Sequence, residues 1–140
     1  LDALSGIRDK EIQYILEYLR AAPLYETITV NSRDFVLVHS GLGGFRKDKK
    51  LSEYTVADLV WSRPSLNARY SDDFMVVLGH TPTVCYGNEY LGKIVKTDCF
   101  INVDVGVGIG QEPALLRLDD MREFYYRDLI QNDYLPISEA

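Results

Sequence analysis

The order of helix-period and strand-period segments predicts an α/β (α+β) fold. Three observations carry that prediction: an amphipathic helix near the start, two short strand-like runs that are apolar without interruption, and a series of shorter β runs between turn residues through the second half.

Over residues 9–22 the apolar side chains Ile12, Ile15, Leu16 and Leu19 recur at i, i+3, i+4 and i+7, one face of a helix. Pro23 stops it, because proline has no N–H to donate and its ring clashes with the preceding turn. Tyr25–Val30 and residues 34–39 read as two strands around Asn31-Ser32-Arg33, which suits a hairpin turn. The second of these is continuous, Phe35-Val36-Leu37-Val38, so it belongs inside a sheet that is covered on both faces. Residues 41–52 form a polar, glycine-containing loop, residues 55–61 a short helix, and a proline-bearing segment leads to the second continuous strand, Phe74–Leu78. Thr83–Tyr86 and residues 91–96, 100–105, 114–118 and 122–126 are expected as short meandering strands, and the mostly polar tail 131–140 is expected to fray.

Composition excludes several classes. A chain of 140 residues with 46% hydrophobic and 26% charged residues supports one ordinary core. Its net charge of −6 leaves no electrostatic footprint for non-specific nucleic-acid or anionic-membrane binding. The basic cluster Arg46, Lys47, Lys49 and Lys50 is interrupted by Asp48 and reads as a solvated loop. No apolar run approaches the roughly 18 to 20 residues of a membrane span, and the first residues lack the order of a signal peptide, so the expected location is cytoplasmic. Cys85 and Cys99 stand outside any C-x-x-C spacing, which argues against a disulfide framework or a thiolate zinc knuckle; both are expected as small apolar residues on or near strands.

His39 and His80 are the chain's two histidines, and each closes one of the continuous apolar runs before a glycine- or proline-containing loop. A buried strand delivers its last side chain at a rigid sheet edge, where ligands and catalytic groups need fixed positions. By residue type each histidine is open to three roles: a structural hydrogen-bonding group, a general acid or base, or a metal ligand.

The longer strings are more specific. Residues 35–42 (FVLVHSGL), 58–64 (DLVWSRP), 76–83 (VVLGHTPT) and 101–118 (INVDVGVGIGQEPALLRL) resemble, in order and approximate spacing, the successive C-terminal motifs of the bacterial and phage phosphoprotein phosphatases of the metallophosphoesterase superfamily. The resemblance implies that residues 1–140 are the C-terminal portion of a single calcineurin-like domain, part of a four-layer αββα sandwich with mixed sheets. It implies that His39 and His80 bind the same ion of a two-metal centre; imidazole nitrogen suits manganese, iron, zinc or nickel without selecting among them. Other metallophosphoesterases carry Gly-His-x-His, and Pro82 at that last position fits the phosphoprotein phosphatase branch.

Arg63, in Trp61-Ser62-Arg63, resembles the family's Trp-x-Arg, whose arginine holds the substrate phosphate with a planar, permanently charged donor fork. Asp104, in Asn102-Val103-Asp104-Val105-Gly106, matches the Ile-Asp-Thr-Gly element and is implied to be a turn residue that helps orient the site loops. Here Val105 replaces the usual threonine, and Gln111-Glu112-Pro113 interrupts the common Gly-Gly-x-Leu. Gly106, Gly108 and Gly110 are not a dinucleotide fingerprint, since the run that follows them reads as a strand rather than a helix. The pairs Asp72-Asp73 and Asp119-Asp120 have no histidine at ligand spacing and read as solvated turns.

The family's N-terminal motifs, Gly-Asp-x-His-Gly, Gly-Asp-x-x-Asp-Arg-Gly and Gly-Asn-His-Glu, do not occur in this sequence. The chain is therefore expected to need the missing N-terminal half of the domain as its partner, and by itself to bind metal weakly, turn over no substrate and expose an apolar sheet face. The activity implied for the complete enzyme is hydrolysis of phosphoserine or phosphothreonine in a phosphoprotein or phosphopeptide by a water that two divalent metals activate. A symmetrical dinucleoside tetraphosphatase shares these motifs, and a catalytically inactive interaction module is the alternative of a different class.

Overall fold

A computed structural model describes residues 6–131, and its architecture is mixed α/β around a mixed sheet. Helix α1 (Asp9–Ala21) begins where Glu11 accepts hydrogen bonds from the Arg8 backbone N–H at 3.0 Å and guanidinium at 2.7 Å. None of its residues is buried, and its apolar stripe stays open, with Leu19 60% exposed. Periodicity and capping thus shape this helix, while packing against the rest of the described chain does not.

The main sheet has the order β1-β2-β3-β5-β4, with β1 (Tyr25–Val30), β2 (Arg33–Val38), β3 (Phe74–Leu78), β4 (Val95–Lys96) and β5 (Phe100–Asn102). β1 and β2 form an antiparallel hairpin in which Val30 pairs with Arg33. The turn is therefore the two residues Asn31 and Ser32, both at positive φ as primed hairpin turns demand, and Arg33 belongs to the strand rather than to the turn. β2, β3 and β5 run parallel, with Phe35 beside Met75 and Val77 beside Ile101, and β4 closes the far edge antiparallel to β5.

Period-two alternation assigns these residues to two cores. Val36, Val38, Val76, Leu78 and Phe100 face one side, where Leu42, Tyr54, Leu59 and Tyr70 cover them. Phe35, Met75 and Ile101 face the other, under Ile94, Val105 and the hairpin of β6 (Ala114–Arg117) and β7 (Arg122–Tyr125). Double coverage is what an uninterrupted apolar strand requires, and Val76 and Phe100 are fully buried. Each such side chain contributes about 1.5–3 kcal/mol relative to its exposed state.

Several short elements differ from expectation. Thr83–Tyr86 winds a 3-10 turn instead of a strand, because the Cys85 and Gly87 N–H groups find the Pro82 and Val84 carbonyls at 2.8 and 3.0 Å and need no partner strand. Asn88–Tyr90 is a second such turn, which leaves only the two residues of β4 from the strand expected over 91–96. β5 ends at Asn102, since Val105 N–H turns back to the Val103 carbonyl at 3.0 Å. Cys85 is exposed on its turn, whereas Cys99 is buried with its thiol donating to the Ala68 carbonyl at 3.0 Å. β7 passes directly into helix α3 (Tyr126–Gln131), which the sequence pattern did not signal. The tail expectation for 132–140 lies outside the described residues. Among those described, no helix is long and apolar enough to cross a membrane.

Candidate functional site

β2 and β3 are parallel neighbours in register, so their carboxyl ends open on the same edge of the sheet. The Gly79 N–H extends the ladder by donating to the His39 carbonyl at 2.9 Å. His80 then takes a left-handed backbone conformation, φ +68°, which costs a non-glycine residue about 1–2 kcal/mol. Its neighbours over-determine that conformation: Thr81 N–H donates to the Gly79 carbonyl at 2.7 Å, and the Asn102 amide donates to the Thr81 carbonyl at 2.8 Å.

The result aims the two imidazoles at each other. His39 Nε2 and His80 Nδ1 are 3.0 Å apart, with ring centroids at 4.8 Å and planes inclined by 58°. At that distance one ring's N–H points at the other's lone pair, and a proton on both facing nitrogens brings two donors together. His80 titrates below the ordinary imidazole value, first because burial penalises its charge and then because His39 and Arg63 repel it, with Asp104 opposing. His80 Nε2 and Thr81 Oγ1 are buried, and among the described residues neither has a hydrogen-bond partner.

Trp61 and Arg63 enter from helix α2 (Val56–Val60). Thr55 and Asp58 cap this helix reciprocally, the Asp58 N–H donating to Thr55 Oγ1 at 3.2 Å and the Thr55 N–H to the Asp58 carboxylate at 3.0 Å. The helix ends at Trp61, whose indole meets the His80 ring edge-on at 5.3 Å. Arg63 is exposed two residues further on. The segment is tied to the sheet by Ser40, fully buried directly after His39. Its Oγ donates to the Leu59 carbonyl at 2.8 Å and accepts the Ser62 N–H at 2.8 Å.

Asp104 lies on the loop after β5. Its N–H donates to Asn102 Oδ1 at 2.9 Å and its carboxylate accepts the Gly106 N–H at 3.1 Å. The carboxylate is thus committed to folding its own loop, while its charge still acts on His80. The fold brings His39, His80, Arg63 and Asp104 to one sheet edge. Sequence reasoning missed Ser40 and Asn102, the two buried polar side chains that join the loops there. Only their adjacency to the quoted motifs hints at them, since their partners are distant in sequence.

As a metal site the donor set fits in part. Two imidazole nitrogens converge closely enough for one ion to bridge them once the proton between them moves to a far ring nitrogen, but among the described residues no group of three or more His, Cys, Asp or Glu side chains could hold a metal. Four or more ligands is the usual complement, so these residues supply about half a coordination shell. No protein-family model matches the chain, and no curated protein matches it.

Proposed function

We propose that this chain is the C-terminal portion of a metal-dependent phosphomonoester hydrolase, a serine/threonine phosphoprotein phosphatase of the metallophosphoesterase type. The observation that carries the reading is the strand-end pair, His39 and His80, with facing nitrogens 3.0 Å apart on the edge that also receives Arg63. The order of motifs around these residues supports it. The mixed sheet and the uncovered stripe of α1 suit one half of a four-layer sandwich, completed by chain that carries the remaining ligands. Two unpaired cysteines suit a cytoplasmic location.

In this reading His39 and His80 would hold one divalent ion of a two-metal site, and the chemistry such a site would supply is activation of water and neutralisation of phosphoryl charge. Ligation needs neutral imidazoles, and burial together with the neighbouring His39 and Arg63 favours the neutral form of His80. Arg63 presents its fork to two phosphoryl oxygens and offsets the charge that builds on them. Asp104 keeps its loop folded beside His80 through the Gly106 N–H.

The test takes the gene product that contains this chain together with its upstream residues. It is assayed on a phosphoserine peptide and on diadenosine tetraphosphate, with manganese and with EDTA. Metal-dependent release of phosphate from the peptide is expected, and His39→Ala and His80→Ala should each lower it by about 100-fold or more. Preferential cleavage of the dinucleotide would assign the tetraphosphatase activity instead. Inertness toward both substrates would leave an interaction module.

A further inference from the structure

Among the described residues no salt bridge anchors the Arg63 guanidinium, and the side chain is exposed. Its position therefore depends on its backbone, and the nearest fixed point is the Ser62 N–H held by Ser40 Oγ at 2.8 Å. Ser40 is fully buried, and its backbone N–H also donates to the Leu59 carbonyl at 3.0 Å, so its hydroxyl cannot turn away to solvent. On the other side of the same peptide unit, the His39 carbonyl accepts the Gly79 N–H at 2.9 Å. One dipeptide thus ties together the β2 edge, the His80 loop and the Arg63 segment. A separate bond, Gly43 N–H to the Asp58 carbonyl at 2.9 Å, holds α2 itself. Loss of the Ser40 hydroxyl consequently frees the Ser62-Arg63 stretch while the helix stays docked.

We propose that Ser40 is a positioning residue for phosphate recognition: its hydroxyl clamps the Ser62 backbone so that Arg63 stays aimed at the anion beside His39 and His80. The inference rests on the phosphatase reading for the identity of the anion, and it assigns the affinity for that anion to a residue that touches no substrate. A displaced guanidinium loses the distance and alignment on which a bidentate phosphate contact depends.

The test is a double-mutant cycle in the same full-length protein. It uses Ser40→Ala, Arg63→Ala and the double variant, and reads the Kd for inorganic phosphate by calorimetry alongside KM and kcat on the phosphoserine peptide. Ser40→Ala should weaken phosphate binding and raise KM by about 10-fold, and should add less than about 2-fold in the Arg63→Ala background, because the effect travels through Arg63. Ser40→Cys, close in volume with a weaker donor and acceptor, should fall between serine and alanine, and it serves in place of alanine if that variant does not fold. An unchanged Kd and KM with only a smaller active fraction makes Ser40 merely structural and overturns the proposal, as does full additivity with Arg63→Ala; turnover by the wild type then leaves the phosphatase reading standing. A wild type that neither binds phosphate nor hydrolyses the peptide overturns both. Phosphate binding that depends on both residues without turnover supports the clamp and removes the enzyme.

Discussion

Asn102→Ala should strike stability and the histidine pair together. The side chain is fully buried at the end of β5; its amide donates to the Thr81 carbonyl at 2.8 Å and lies 3.3 Å from the Tyr86 hydroxyl, while its carbonyl accepts the Asp104 N–H at 2.9 Å. Truncation leaves the Thr81 carbonyl without this donor in a buried setting, at a cost of about 2 kcal/mol, and the Asp104 N–H in a half-buried one where water recovers part of the loss, at about 1 kcal/mol. The expected total of about 3 kcal/mol is a large share of the roughly 5–15 kcal/mol that stabilises a domain of this size. With a urea dependence of about 1.5 kcal/mol per molar, the unfolding midpoint should fall by about 2 M. The substitution also removes the bond that holds Thr81, and with it the support for His80 at φ +68°. Because the sequence contains two histidines, imidazole nitrogen spectra report the pair directly, and both side chains should shift as their contact loosens. A destabilisation below about 1 kcal/mol with unmoved imidazole resonances would refute the idea that one amide joins these loops.

Two further predictions concern the hairpin and the loop after β2. Burial raises the pKa of Glu123, but hydrogen bonds from Lys96 Nζ at 2.6 Å and the Tyr125 hydroxyl at 2.5 Å outweigh it, and the net shift is downward from 4.5. A folded value below the unfolded one stabilises the protein fully above the unfolded pKa, and that stability drains away as pH falls through the lowered value. Glu123→Gln should therefore flatten the acid limb of urea midpoints measured from pH 7 to pH 3, and an unchanged acid limb would count against the network. Gly41 has φ +132°, and a Cβ there would lie 2.9 Å from the buried Tyr70 hydroxyl, so Gly41→Ala should cost roughly 1–3 kcal/mol. Gly44→Ala, at φ +61° with open space around it, meets only the left-handed backbone cost of about 1 kcal/mol and should lose less thermal stability than Gly41→Ala; an equal or larger loss would count against both the Tyr70 contact and the backbone strain at Gly41.

The parts of the fold that were legible are those written in periodicity. Ile12, Ile15, Leu16 and Leu19 mark α1, and the uninterrupted runs of β2 and β3 mark interior strands, because a strand buried on both faces leaves no room for polar alternation. The 3-10 turns at Thr83–Tyr86 and Asn88–Tyr90 were not legible. Val84, Tyr86 and Tyr90 have strand-forming side chains, yet backbone bonds three residues apart satisfy that segment locally. α3 was missed because six residues are too few to display a helical period.

The candidate site divides along the same physical line. His39 and His80 could be placed at a common edge because strand ends are a local property, and two parallel neighbours share the edge where their carboxyl ends emerge. Their approach to 3.0 Å is not local. It depends on a left-handed turn at His80 that Asn102 braces from 21 residues away through the Thr81 carbonyl, and the Arg63 segment depends on Ser40, 22 residues from Ser62. Buried polar groups of this kind carry no periodic signature, since what fixes them is the requirement that each find a partner once the sheet has formed. The chemistry-bearing side chains therefore sit where sequence patterns point, while the precision of their arrangement rests on two small polar residues beside them.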